Sequence, residues 1–138
     1  MNGGEINVSF DTNIFLELLL DQEKADEVEQ LLQTVPREEI HLTELSLYSI
    51  GIILFRRKLF NTFREFVEDI IGRGGICILR LPPQYIETLV EIAQRFNLNF
   101  DDAYQYAVAQ KYNLTLLSFD SDFDRTEKGR RTPEQISK

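Results

Sequence analysis

Four carboxylates carry most of the chemistry this sequence offers: Asp11, Glu44, Asp102 and Asp120. Asp11 closes the β-inclined run at residues 5–10 (EINVSF), Glu44 follows Ile40–Thr43 (IHLT), and Asp120 follows residues 114–118 (LTLLS). Asp102 falls in the first turn of a helical pattern over residues 99–111. Functional groups gather where the C-terminal ends of parallel strands meet the loops into helices, so these four acids converge if the sheet order brings those ends together. Two carboxylates about 4 Å apart repel by roughly 4 kcal/mol at an effective dielectric of about 20; a converged set therefore needs a counter-ion. A set of acids with no His or Cys selects a hard ion, Mg²⁺ or Mn²⁺, over zinc. Such a site suits phosphodiester hydrolysis, in which the metal activates water and neutralises phosphate charge. Asp11, Asp102 and Asp120 are the candidate ligands and all four acids the candidate catalytic groups.

Each residue also has a plainer reading. Asp11-Thr12-Asn13 before a helix is a ready N-cap, and Asn99 with Asp102 has capping-box spacing. The run Ser118-Phe119-Asp120-Ser121-Asp122-Phe123 reads as an Asx-rich turn, and Glu44 alone reads as a solvated loop residue. Their joint placement after strands is what favours the functional reading.

The elements that must position these groups alternate. A leucine-rich segment after Asp11 reads as a buried helix, and residues 21–34 form an amphipathic helix ended by Pro36. Residues 45–58 form a core helix with a basic end, residues 61–71 another, and Gly72, Gly74 and Gly75 break the pattern. Residues 76–81 (ICILRL) are the third strand, Pro82-Pro83 opens a helix to about Phe96, and residues 99–111 lead to the fourth strand. Strands alternating with helices predict an α/β/α sandwich around a mainly parallel sheet of four to five strands. Residues 1–138 read as one domain, with 125–138 a loosely held polar tail.

Composition sets the outer limits. The 138 residues are 43% hydrophobic with ten Phe, enough for one sizeable core. No run approaches the roughly 18 apolar residues of a membrane span, and the lone Cys77 excludes an internal disulfide or a thiolate zinc site; a cytoplasmic protein is expected. The net charge of -8 repels polyanions in bulk, so nucleic acid would need local basic patches or metal ions. Arg56-Arg57-Lys58 reads as helix-dipole complementation or as a phosphate-contacting patch, and Lys128-Gly129-Arg130-Arg131 as a second basic cluster. His41 and Cys77 read as packing residues.

Taken in order, strand-Asp11-Thr12-Asn13, Asp102-Ala103 followed by Ala107 and Ala109, and Leu117-Ser118-Phe119-Asp120-Ser121-Asp122-Phe123 resemble the PIN-domain ribonucleases, the group that includes VapC-type toxins. The resemblance spans nearly the whole chain. It implies a PIN-like fold, a Mg²⁺- or Mn²⁺-dependent endoribonuclease, an RNA substrate, an antitoxin partner and a homodimer. Thr12, Asn13, Ser118, Arg56 and Arg57 are the candidate substrate-binding residues. The departure is at the family's Ser-x-x-Thr-x-x-Glu pattern: aligning Thr43 and Ser46 to its hydroxyl positions puts Ser49 where the glutamate belongs, so Glu44 is expected to supply that carboxylate from the loop.

Three rivals fit less well. A phosphohydrolase with Asp11 as nucleophile expects an Asp where Asn13 stands. A receiver-type phosphoacceptor expects paired acids near the first strand, and a P-loop enzyme a glycine-rich phosphate motif. A catalytically silent PIN-like module that binds RNA or protein is the alternative from another class.

Overall fold

The computed structural model describes residues 6–137. Four short strands, β1 (Val8–Phe10), β2 (Ile40–Thr43), β3 (Cys77–Leu79) and β4 (Thr115–Leu117), form one parallel sheet in the order β3-β2-β1-β4. β1 is central and fully buried on both faces, Ser9 included, although its sequence Val8-Ser9-Phe10 alternates apolar and polar residues. The register aligns Val8 with both Ile40 and Thr115, and Phe10 with both Leu42 and Leu117. The strand run expected from residue 5 is realised as Val8–Phe10; Glu5 lies outside the described residues.

Helices α1 (Thr12–Leu19) and α2 (Ala25–Thr34) connect β1 to β2, and α3 (Glu44–Arg56) and α4 (Phe60–Phe66) lead on toward β3. Helices α5 (Ile86–Phe96) and α6 (Phe100–Lys111) return the chain across the sheet to β4. Because successive strand residues face opposite sides, two cores result. Val8, Phe10, Ile40, Leu42 and Leu117 pack with Ile14, Phe15, Val28, Leu31, Ile50, Leu54 and Phe66. On the other side Leu116 packs with Leu89, Ile92, Tyr106, Val108 and Phe123.

Three sequence expectations are corrected. The helix read over 61–71 holds α-helical spacing only to Phe66 and then widens into a π-helical segment, Val67–Gly72. The chain turns out of it at Gly74, where an added Cβ would collide with the Ile70 carbonyl and lie 2.7 Å from that of Asp69, so only glycine fits. Cys77, read as a packing residue, is exposed because β3 is an edge strand.

The polar segment from 125 is not loosely held through its described part. Arg131 forms a parallel bridge to Leu117, with Arg131 N–H donating to Leu116 O (2.8 Å) and Ser118 N–H to Arg131 O (3.0 Å). Arg130 grips Asp124 and the Ser118 carbonyl, and α7 (Pro133–Ser137) packs on α2. Backbone pairing, which polarity does not reveal, is what secures it. The bridge continues the sheet past β4 without a full fifth strand.

Candidate active site

The strand order reverses direction beside β1: β2 and β3 lie on one side of it, β4 on the other. That reversal leaves a crevice beyond the C-terminal ends of β1 and β4, and the residues following both strands line it. Asp11 caps α1, its Oδ1 accepting from Thr12 N–H at 2.8 Å. Its Oδ2 accepts from Ser118 Oγ at 2.7 Å. The Ser118 hydroxyl in turn accepts from Asp120 N–H (2.9 Å) and Asn13 Nδ2 (3.3 Å), so its one proton and both lone pairs are used. Asn13 Oδ1 accepts from Phe119 N–H at 3.3 Å, fastening the start of α1 to the β4 loop a second time.

Asp120 begins a 3₁₀ turn, Ser121–Arg125, and its Oδ1 accepts from Asp122 N–H at 2.8 Å. This Asx turn folds Asp120 and Asp122 back to the same side. Asp102 arrives from the first turn of α6, where Asn99 caps its N–H at 3.0 Å. One carboxylate oxygen from each of Asp102, Asp120 and Asp122 lies within 4.8 Å of the others. Their nearest ion-pairing cation among the described residues is Arg125, 3.6 Å from Asp122 Oδ2.

The electrostatics show the strain of this arrangement. Burial raises the Asp102 carboxyl to about 7, with further upward pressure from the charges of Asp11, Asp120, Asp122 and Asp101. Burial likewise raises Asp11 to about 6, opposed by the hydrogen bonds from Ser118 and Thr12 and assisted by the charges of Asp120 and Asp101. Both residues are 7% exposed. An all-oxygen set this close, beside the buried Asp11 and with burial raising the carboxyls of Asp102 and Asp11, fits a hard divalent cation. Asp102, Asp120 and Asp122 are placed to hold it, with Asp11 alongside.

Behind the acids, Thr12 Oγ1 and Gln105 Nε2 both donate to Ser46 Oγ (2.9 and 2.5 Å), and Ser46 N–H is capped by Thr43 Oγ1. This buried cluster ties the starts of α1 and α3 to α6. The Gln105 Oε1 is buried without a partner.

The structure therefore gathers Asp11, Asp102, Asp120, Thr12, Asn13 and Ser118 of the residues expected from sequence. Glu44 is the first residue of α3, half-buried, and stands outside the carboxylate group. Arg56 and Arg57 lie at the far end of α3, roughly 18 Å along the helix from Glu44, and are not brought to the crevice. Asp122 and Gln105 are the additions. The spacing Asp120-Ser121-Asp122 contained the signal for Asp122; Gln105, one turn after Asp102, carried none, since its partner Ser46 is 59 residues away.

With strand order, acid cluster and hydroxyl relay in place, residues 8–129 match the family model of the PIN domain. The chain belongs to the PIN domain family. Solved structures share the PIN fold over nearly their whole length. One is a protein from Pyrobaculum aerophilum (17% identity, 96% of this chain and 93% of that one, TM-score 0.71). Another is a toxin–antitoxin complex from Klebsiella pneumoniae (22%, 91% and 97%, TM-score 0.74). A third is FitAcB from Neisseria gonorrhoeae (21%, 94% and 99%, TM-score 0.73). No curated protein sequence matches this PIN domain. No helix among its described residues is long and apolar enough to cross a membrane.

Proposed function

We propose that this PIN domain is a Mg²⁺- or Mn²⁺-dependent endoribonuclease acting as the cytoplasmic toxin of a toxin–antitoxin pair. The observation that carries the reading is the approach of Asp102, Asp120 and Asp122 to within 4.8 Å beside the buried Asp11. Carboxylates this close need a proton or positive charge among them, and a divalent cation supplies the charge while leaving every oxygen free to ligate. PIN domains are generally nucleases, and one of the structural neighbours is a toxin–antitoxin complex.

In this reading Asp122 completes the set of acids that Glu44 does not join. A bound divalent ion supplies a more acidic water and neutralises charge on the phosphate. Ser118 fixes the orientation of Asp11 by donating to Oδ2, and Thr12 N–H fixes Oδ1. Asn13 keeps the β4 loop against α1. Thr12 and Asn13, at the positive N-terminal end of α1, offer their dipole to an entering phosphate.

The test is cleavage of structured RNAs by the protein and by Asp11→Asn with Mg²⁺ or Mn²⁺. Metal-dependent cleavage lost in the variant supports the reading; equal residual cleavage in both preparations refutes it. One observation favours the second reading, a silent RNA- or protein-binding module: Ser49 stands at the family's glutamate position and Glu44 lies apart from the cluster. Metal binding and RNA retention without cleavage would establish that reading instead.

A further inference from the structure

Away from the acidic crevice, the outer edge of β4 borders a cavity of about 180 Å³ lined by Thr115, Leu116, Lys128, Gly129, Arg130 and Arg131. Three cations within four residues are unusual in a chain of net charge -8. Backbone and side-chain bonds hold this basic segment in place. Lys128 N–H donates to the Tyr106 hydroxyl (3.1 Å), Gly129 N–H to Thr126 Oγ1 (2.9 Å) and Arg131 N–H to Leu116 O (2.8 Å). Gly129 has φ +70°, and an added Cβ there would meet nothing within 4 Å, so glycine serves the left-handed turn and not a close contact.

The charges around the cavity are already sorted. Arg130 is used internally, donating to Asp124 and to the Ser118 carbonyl, and Glu127 is paired with Arg95. The two nearest acids in sequence are thereby taken, and the exposed Lys128 and Arg131 form no ion pair among the described residues. A backbone donor joins these two cations. Within a parallel ladder the N–H and C=O of one residue point to the same neighbour, and Leu116 C=O faces outward to Arg131, so Leu116 N–H faces outward too. The bridge at Leu117 and Arg131 is not continued to Gly129, and nothing among the described residues accepts from that N–H. Leu116 is 1% exposed, and a buried N–H is costly unless some acceptor meets it.

We infer that this cavity binds a phosphoryl group of nearly two negative charges, either the terminal phosphate of an RNA strand or free phosphate. Two unpaired cations match its charge of roughly -1.5 to -2 at pH 7, whereas a carboxylate or an internal phosphodiester brings one. Arg131 presents a planar fork and Lys128 a mobile ammonium to separate oxygens, and Leu116 N–H takes a further one. Thr115 precedes Ser118 by three residues on β4, roughly 10 Å of extended chain, which puts the acids within reach of nucleotides behind a strand end held here. The strand-end source rests on the nuclease reading and narrows its substrate class to RNA with a terminal phosphate; the phosphate site itself stands without that reading.

Equilibrium dialysis of the full chain in chelator tests it, with inorganic phosphate and with a short single-stranded RNA that either carries a terminal phosphate or has been dephosphorylated. Inorganic phosphate is expected to bind once per chain. Lys128→Gln and Arg131→Gln should each weaken that binding about tenfold with an unchanged far-ultraviolet dichroism spectrum. A phosphorylated RNA that binds about tenfold more tightly than its dephosphorylated twin, an advantage lost in both variants, assigns the cavity to strand ends. Phosphate binding without that advantage assigns it to free phosphate. Asp11→Asn should bind phosphate as the wild type does, so failure of the cleavage assay and failure of the phosphate site are separate results. Absence of phosphate binding together with no preference for phosphorylated RNA, or phosphate binding that survives both substitutions, would overturn the assignment.

Discussion

Replacing Asp102 by Asn is expected to stabilise the metal-free protein at neutral pH while removing its nuclease activity. In the folded state the Asp102 carboxyl is raised from 3.8 to about 7, chiefly by burial and then by the neighbouring acids. A group whose folded value lies above its unfolded one takes up a proton on folding. Its contribution is therefore fully present below pH 3.8 and is lost as pH rises through 7. Each pKa unit corresponds to about 1.4 kcal/mol, so the ionised side chain destabilises the fold by up to about 4 kcal/mol at high pH, an amount the neutral amide avoids. Asp11, raised to about 6, contributes a slope of the same sign that is largely complete by pH 6. The window that isolates Asp102 is consequently pH 6 to 7, where the wild type should lose about 1 kcal/mol and Asp102→Asn should stay nearly flat. Urea unfolding in chelator across this range measures both curves. At neutral pH the variant's thermal midpoint should rise by on the order of 10 °C for a chain of this size. Added Mn²⁺ should close the gap by stabilising the wild type alone. Parallel curves between pH 6 and 7, or an unchanged midpoint, would show that Asp102 bears no such charge stress and would remove the physical argument for a cation there.

Ser118→Ala takes away one hydrogen bond that lowers the Asp11 carboxyl, so the acidic limb of the pH–rate profile should move to higher pH, with RNA cleavage reduced on the order of a hundredfold. Asp122→Asn should weaken Mn²⁺ binding about tenfold by calorimetry, whereas Glu44→Gln should leave it near the wild-type value. Gly74→Ala should destabilise the protein by about 2 kcal/mol in denaturant unfolding, because the new methyl meets two backbone carbonyls that cannot give way. Removing residues 130–138 should lower the thermal midpoint, since it strips Arg131 from β4 and α7 from α2.

Local pattern made Asp11, Asp102 and Asp120 legible, because strand ends and helix starts are written in hydrophobic periodicity. It made Ile40–Thr43 legible to the residue. What pattern missed depended on distant partners. An Asx turn at Asp120 and Asp122 reads the same whether it merely closes a strand or aims two acids at a third on α6. The edge position of β3, which exposes Cys77, follows from strand order and cannot be read along the chain. Glu44 follows a strand in sequence, which suggests a place beside the other strand-end acids, yet as the first residue of α3 it stands outside the cluster of Asp102, Asp120 and Asp122. The widening after Phe66 into a π-helical turn is not written in the hydrophobic pattern, which stays helical through Ile71.

The hydroxyl of Ser118 joins Asp11 to the β4 loop across 107 residues of sequence, and that separation governs timing. Contacts so distant are among the slowest to form, and Asp11 and then Asp102 wait for their acidic neighbours until the segment through Asp122 has been synthesised and β4 has inserted beside β1. The acidic crevice is therefore absent until the segment through Asp122 is in place, and whatever chemistry it performs begins only after β1 has gained β4 as a neighbour.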